Sequence, residues 1–399
     1  LTTLASSAEH PARRTEDVMK RSTERILTTH TGSLPRPPEL IPLILDKDRG
    51  EPVDEARFEA LVRQAVHDIV RTQVANGIDV VSDGEMSKPS YVGYAKDRLT
   101  GFTGTGTIGV AADLADFPEY TENLRRHALA TPAAPRPACA GPITYRGHAE
   151  LQRDIANFLA ALPGSGAVDS FMTAAAPGVI AVFLPNQYYP SHEDYIWALA
   201  AAMKEEYTAI HRAGINLQID CPDLALGRNL QFPTIPLEEF RRIAALHVEA
   251  MNWALADIPP ENLRMHLCWG NYEGPHHKDI PLRDIIDIVL AARPNFISFE
   301  AANPRHEHEW RLWEDVRLPD GKVLMPGVLD STTNFVEHPE LVAERILRFA
   351  RLVGKENVIA GADCGFSTGA AGAPVVPSIA WAKFRALRDG AALASQLLW

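Results

Sequence analysis

Arg264-Met265-His266-Leu267-Cys268 is a short apolar run with two chemically active side chains at its end. It is too short for a helix of ordinary length and is bounded by turn residues, so it reads as a buried strand. Residues two apart in a strand point to the same face, which puts His266 and Cys268 side by side. Working outward, runs of the same kind recur along the chain at 26–29, 79–82, 138–144, 215–220, 264–268, 295–300, 323–329 and 358–362.

Between these runs lie segments of helical period. In 56–75 the apolar residues Phe58, Leu61, Val62, Ala65, Val66 and Ile69 fall on one face. The segments 195–213, 237–255, 282–292 and 339–352 repeat the pattern, and Asn76-Gly77 and Ala213-Gly214 supply the residues expected just past a helix end. Eight strands alternating with helices predict a parallel α/β fold, most economically a closed (βα)8 TIM barrel with elaborated loops. The competing arrangement is an open doubly wound sheet. The Gly- and Pro-rich stretch 101–137 reads as a long loop after the second strand, and 170–190, with Pro177-Gly178, as a second insertion before the fourth.

The composition fits an ordinary globular chain: 399 residues, 46% hydrophobic and 23% charged. A net charge of −12 with no basic block argues against nucleic acid or an anionic membrane as partner and leaves small molecules or proteins. Four cysteines, Cys139, Cys221, Cys268 and Cys364, are too few for a disulfide framework, and reduced thiols in the cytoplasm fit best. No apolar run is long enough to span a bilayer. Residues 1–24 are polar, lack a secretory h-region and read as a flexible segment, the first 18 residues being upstream or added sequence. Residues 25–399 then form one catalytic barrel, with a homo-oligomer left open.

In a β/α barrel the C-terminal strand ends converge on one mouth. His266 and Cys268 end the fifth predicted strand, Glu300 ends the sixth and Cys364 follows the eighth. Together they offer nitrogen, two sulfurs and oxygen, a donor set that suits tetrahedral Zn²⁺ and disfavours hard ions. Taken singly, each has a blander reading, a strand cysteine as small buried apolar filler and the glutamate as a salt-bridge partner.

The ordered motifs are Thr28-Thr29-His30-Thr31-Gly32-Ser33-Leu34-Pro35, Asp83-Gly84-Glu85, Gln218-Ile219-Asp220, His266-Leu267-Cys268, Ser298-Phe299-Glu300, Pro326-Gly327-Val328-Leu329-Asp330 and Asp363-Cys364-Gly365. From Ile26 to about Gly369 the chain resembles the catalytic C-terminal half of cobalamin-independent methionine synthase. The resemblance implies a zinc-dependent barrel with His266, Cys268, Glu300 and Cys364 as metal ligands. It implies that Ser33, Glu85 and Asp220 hold the amino-acid end of homocysteine, with Glu85 and Asp220 also serving catalysis. The implied activity is transfer of an alkyl group, most simply methyl from a methyltetrahydrofolate-like donor, to a small-molecule thiol kept as thiolate by the metal. Glu300, the hardest ligand, is the one expected to yield to the incoming sulfur.

Three features depart from that family. A chain of 399 residues has no room for the second, N-terminal barrel of the polyglutamyl-folate enzymes. Cys221 stands in Asp220-Cys221-Pro222 where the family has glutamate, and it reads as packing. Asp330-Ser331-Thr332 replaces an Asp-x-His that donates a proton, and threonine cannot shuttle one near neutrality. His30, His276 and His277 are the substitutes the sequence offers. The departures are shared with single-barrel relatives, including the epoxyalkane:coenzyme M transferases, so addition of a thiol to an epoxide is the alternative function. A sulfonated thiol would want a cation, for which Lys88 and Arg36 are candidates. Tyr145, Trp269, Tyr272 and Phe366 are placed to form an aromatic shelf for a flat donor.

Overall fold

The structure is a computed structural model that describes residues 18–129, 136–370, 372 and 374–399. Its strands are β1 (Val80–Val81), β2 (Phe102–Thr103), β3 (Ala138–Cys139), β4 (Asp169–Ala175), β5 (Asn216–Asp220), β6 (Leu263–Leu267), β7 (Phe296–Phe299), β8 (Val323–Leu329) and β9 (Gly361–Ala362). Seven of them form one sheet in the order β1-β4-β5-β6-β7-β8-β9, with every pairing parallel. The segment 26–29 fills the gap between the sheet's two edges. Thr29 N donates to Ala360 O at 2.8 Å, Ala360 N to Leu27 O at 2.8 Å, and Val80 N to Thr28 O at 3.0 Å. The sheet thus closes on itself as a (βα)8 barrel.

The helices lie where helical period placed them. They span Glu55–Ala75, His192–Arg212, Leu237–Ala254 and Pro339–Val353, while 282–292 breaks into a short 3₁₀ turn and the helix Ile286–Leu290. Gly77 and Gly214 both take the left-handed conformation just past a helix end.

One strand was misplaced by the sequence reading. The third barrel strand is β4, inside the stretch read as an insertion, whereas Ala138–Cys139 pairs antiparallel with Phe102–Thr103 in a small ribbon outside the barrel. The reason is physical. The end of β4 is buried and reads Thr173-Ala174-Ala175, which lacks alternation and has a single β-branched residue, too little to mark a strand in sequence. Pro177-Gly178, placed by the sequence within that insertion, opens the buried helix Pro177–Phe183, because proline suits the first helical position. Small residues are needed here because two phenols close on the strand end: Tyr94 OH accepts from Ala175 N at 3.0 Å and Tyr207 OH donates to Ala175 O at 2.6 Å.

The barrel interior is layered by register. Gln218, Arg264 and Phe296 are cross-strand partners in one row, and Asp220, His266 and Ser298 in the next row toward the C-terminal mouth. Phe296 joins Leu27, Val80, Phe171, Val323, Met325 and Ile359 in an apolar plug that also includes Met19. Of residues 1–24, residues 1–17 lie outside the described residues. The rest lie against the bottom of the barrel: Met19 is 1% exposed, its N donates to Glu261 O, and Ser22 Oγ donates to Val358 O at 2.6 Å. No helix among the described residues is long and apolar enough to cross a membrane. If Met19 is part of the core, Met19→Ala should lower unfolding free energy by roughly 2–4 kcal/mol, as buried large-to-small changes do, in urea denaturation.

Candidate functional site

At the C-terminal mouth the register converts sequence spacing into a cluster. His266 sits at the end of β6, buried, with its Nδ1 in a 3.0 Å hydrogen bond with the Oγ of its cross-strand neighbour Ser298. That bond turns Nε2 toward the mouth, where Cys364 Sγ lies 3.4 Å away. His266 Nε2, Cys268 Sγ and Cys364 Sγ all fall within 4.8 Å of one another, and all three residues are buried. The fourth predicted ligand is close but turned aside. Glu300 Oε1 is 3.7 Å from Cys364 Sγ, yet it accepts from Trp269 N at 2.8 Å while Oε2 accepts from Asn303 Nδ2 at 2.5 Å.

The loops bearing these groups are fixed by a buried carboxylate. Asp363 accepts from the backbone N–H groups of Ala301, Ala302 and Asn303 at 2.8–2.9 Å, tying the turn after β7 to the residue before Cys364. Gly327 allows this approach, since a Cβ there would lie 2.1 Å from Asp363 Oδ1.

The electrostatics of the cluster follow from its burial. Burial, reinforced by Cys268, pushes Glu300 up to about 7. Burial also pushes Cys364 well above the thiol range, while a hydrogen bond with Cys364 pulls Cys268 down. Burial holds His266 down at about 4, so it is neutral, the form in which imidazole ligates a metal. Buried sulfur and carboxylate donors that resist sharing negative charge, next to a neutral imidazole, fit a thiophilic dication such as zinc.

The same mouth opens into a cavity of about 600 Å³. Its inner wall carries Thr31, Ser33, Glu85, Asp220, His266, Cys268 and Cys364. Glu85 stands in the left-handed region at φ 59°, a conformation unfavourable for a residue with a Cβ, directly after Gly84 at φ 65°. That turn points a buried carboxylate inward. Glu85 Oε1 accepts from Thr173 Oγ1 at 2.8 Å, and Oε2 has no partner among the described residues. Asp220, which accepts from Gln218 Nε2 at 2.7 Å, is pushed up to about 7 by burial and then by the charge of Glu85. A carboxylate pair with an unpaired buried oxygen is a receptor for a cation with hydrogen atoms to donate, such as an ammonium group.

Other predicted residues go elsewhere. His30 faces away from the cavity, between Gln73 Oε1 at 2.7 Å and the rings of Phe171 and Phe384, and burial holds it down at about 3. His276 is bonded to Asp279 at 2.7 Å and His277 to Asp116 at 2.8 Å. Lys88 donates to Thr173 O at 2.7 Å and covers the Tyr94 ring, and Arg36 donates to the carbonyls of Ser367, Glu85 and Lys88, so neither serves the cavity. Cys221 packs in the core beside Met251. Of the aromatic shelf, Tyr145 bonds Glu206, Trp269 stacks on His306 and Phe366 packs on Phe384, leaving Tyr272 at the cavity.

Sequence reading missed the outer wall. The insertion after β1 folds over the mouth and contributes Ile108, Val110, Ala111 and Leu114, facing Leu226 and Leu230, while Tyr91, Arg136 and Phe183 complete the rim. Only the length and apolar content of the insertion signalled this, because the contacts are nonlocal. Buried Asp113 anchors it, accepting from Tyr272 OH and from His276 N at 3.0 Å.

With the geometry in place, comparison with known proteins is informative. A family model described as "Cobalamin-independent synthase, Catalytic domain" matches residues 26–117. The methionine synthase of Sulfolobus acidocaldarius is 25% identical over 349 residues, covering 85% of this chain and 85% of its own. A 5-methyltetrahydropteroyltriglutamate–homocysteine methyltransferase of Chelativorans sp. is 24% identical over 347 residues, which are 86% of this chain and 39% of that protein. Among solved structures, a B12-independent methionine synthase from Shewanella sp. W3-18-1 superposes with a TM-score of 0.70 at 18% identity, covering 94% of this chain and 99% of that one. A second, from Listeria monocytogenes, gives 0.61 at 16%, covering 94% and 99%. The two structures agree on the fold, and the chain resembles the cobalamin-independent methionine synthases along most of its length.

Asp113→Ala should release the insertion from the Tyr272 loop. Hydrogen bonds to a charged group are worth about 1.5–3 kcal/mol, so amide exchange in residues 108–117 should speed up by at least roughly tenfold with the barrel strands unchanged. Exchange mass spectrometry measures this directly.

Proposed function

We propose that the chain is a zinc-dependent thiol S-alkyltransferase that methylates homocysteine or a similar amino-acid thiol. The observation that carries this reading is the meeting of His266 Nε2, Cys268 Sγ and Cys364 Sγ in the cavity whose inner wall holds Glu85 and Asp220. Likeness to methionine synthases over 85% of the chain supports the choice of homocysteine and a methyl donor.

In this reading His266, Cys268 and Cys364 hold the ion, with Glu300 as the fourth ligand. When bound there, zinc supplies the Lewis acidity that keeps a thiol deprotonated near neutral pH. The chain's own residues do the rest. Glu85 and Asp220 receive the ammonium group of the thiol substrate and set its sulfur at a fixed reach from the cluster. Ser298 fixes the tautomer and ring plane of His266. The two hydrogen bonds from Trp269 and Asn303 give Glu300 an alternative resting place, so it can leave the cluster to admit a substrate sulfur without becoming an unpaired buried anion. The apolar insertion keeps bulk water from the reacting atoms.

Addition of a thiol to an epoxide is the second reading, and the observation that favours it is Arg136, a cation on the rim of the cavity that could meet a sulfonate.

Zinc-edge X-ray absorption tests both. The zinc-loaded protein should show two sulfur neighbours, rising to three when homocysteine is added. A third sulfur only with a sulfonated thiol selects the epoxide reading. No change with either thiol overturns both.

A further inference from the structure

The departure at Thr332 leaves an alkyl transfer without its proton source. A strongly basic oxygen or nitrogen leaving group must be protonated as it departs, and the cavity has to supply that proton. The first replacement to consider is the Asp330 turn itself. It is occupied, since Asp330 accepts from Thr332 N at 2.9 Å, Thr332 Oγ1 at 2.8 Å and Thr333 N at 3.2 Å. His30 lies outside the cavity, and His276 and His277 are committed to Asp279 and Asp116. Two phenols line the cavity, and Tyr272 is committed to Asp113.

Tyr91 is the phenol that remains. It lines the cavity that contains Cys268 and Cys364. Its position is built from two sides. Pro89 O accepts from Ala370 N at 2.8 Å and Ser90 bridges to Gly369, which pins the Tyr91 loop to the loop that follows Cys364. The Tyr91 ring then meets the edge of Phe183 at 6.2 Å, and the Arg136 guanidinium lies 4.9 Å from the centre of that same Phe183 ring. Phe183 therefore brings a phenol and a cation to the same part of the cavity. The hydroxyl is raised well above the usual tyrosine range, by burial first and then by Cys268, while Arg136 opposes the rise. A phenol keeps its proton at neutral pH until a strong base forms beside it.

We infer that Tyr91, with Arg136 beside it, is the proton donor to the departing atom of the alkyl donor. The inference rests on the thiol-alkyltransferase reading above. In the step the thiolate sulfur forms a bond to the electrophilic carbon. The bond from that carbon to oxygen or nitrogen breaks, and its electron pair goes to the leaving atom. The leaving atom takes the Tyr91 proton. Tyr91 is left as a phenolate facing Arg136, and a proton from solvent at the rim restores it. The thiol's own proton has already gone to solvent, so charge and atoms balance.

The test compares leaving groups in the zinc-loaded full chain. Homocysteine is alkylated with methyl iodide, whose leaving group needs no proton, and with 5-methyltetrahydrofolate and 1,2-epoxypropane, whose leaving groups do. Tyr91→Phe should lose at least about a hundredfold in kcat/KM with whichever proton-requiring donor the wild type uses, in line with general-acid contributions, and stay within about twofold with methyl iodide. Methionine affinity, measured calorimetrically, should not change. Equal loss with both kinds of donor, or loss with neither, overturns the assignment. So does a wild type that uses methyl iodide in a zinc-dependent way but neither of the other donors. A wild type showing no zinc-dependent alkylation with methyl iodide instead overturns the reading on which the assignment rests.

Discussion

The burial of acidic and thiol groups side by side is the constraint on which the arrangement of the barrel mouth depends. Glu85, Asp220, Glu300, Asp363, Cys268 and Cys364 are all buried at one end of the fold. An isolated anion in such a place costs several kcal/mol even after relaxation, so each must be neutralised, hydrogen-bonded or matched by a cation. Asp363 is satisfied by three backbone N–H groups. Glu85 keeps one bare oxygen, and the two thiols lie side by side with a neutral imidazole. The surplus thus divides into two parts: soft donors that fit a thiophilic dication, and a carboxylate pair that fits an ammonium group. In the proposed function a zwitterionic thiol spans both, its amine at Glu85 and Asp220 and its sulfur at the cluster.

The barrel makes this division possible because register is a geometric constraint. Asp220, His266 and Ser298 are neighbours in one row across β5, β6 and β7, so the carboxylate pair and the His266–Cys268–Cys364 cluster keep a fixed separation set by the strand spacing. Closure by the segment 26–29 brings Ser33 and Cys364 to the same mouth although they are far apart in sequence. Gly365 allows that closure, because a Cβ there would lie 2.0 Å from Ser33 Oγ. The lower plug and the buried Arg264, which donates to Thr29 Oγ1 and His30 O, hold the opposite end shut. His30 belongs to that support, and this explains why a histidine in so distinctive a motif never reaches the cavity.

How far the sequence could be read follows from what kind of signal each part leaves. The strands with apolar β-branched residues bounded by turns were legible, and so were the long amphipathic helices. The strand β4 was not, because a buried alanine-rich end carries no period. The strand-end positions of His266, Cys268 and Cys364 were legible from spacing and motif, since both depend on local order. The outward turn of Glu300, the commitment of Lys88 and Arg36 to carbonyl groups, and the contribution of Tyr91 and Arg136 to the cavity were not. Glu300 is held by Trp269 across two strands and by Asn303 in its own turn, Lys88 and Arg36 bond to carbonyl groups some 50 or more positions away, and Tyr91 and Arg136 follow the path of an insertion, none of which leaves a periodic pattern.

The central claim is that the surplus of soft donors holds a single zinc ion, and anomalous X-ray diffraction recorded on either side of the zinc edge tests it most directly. The account predicts one strong anomalous peak at about 2.0–2.1 Å from His266 Nε2 and about 2.3 Å from Cys268 Sγ and Cys364 Sγ in crystals of the zinc-loaded protein. A zinc-loaded crystal with no peak at this cluster, or with its only peak elsewhere, would contradict it.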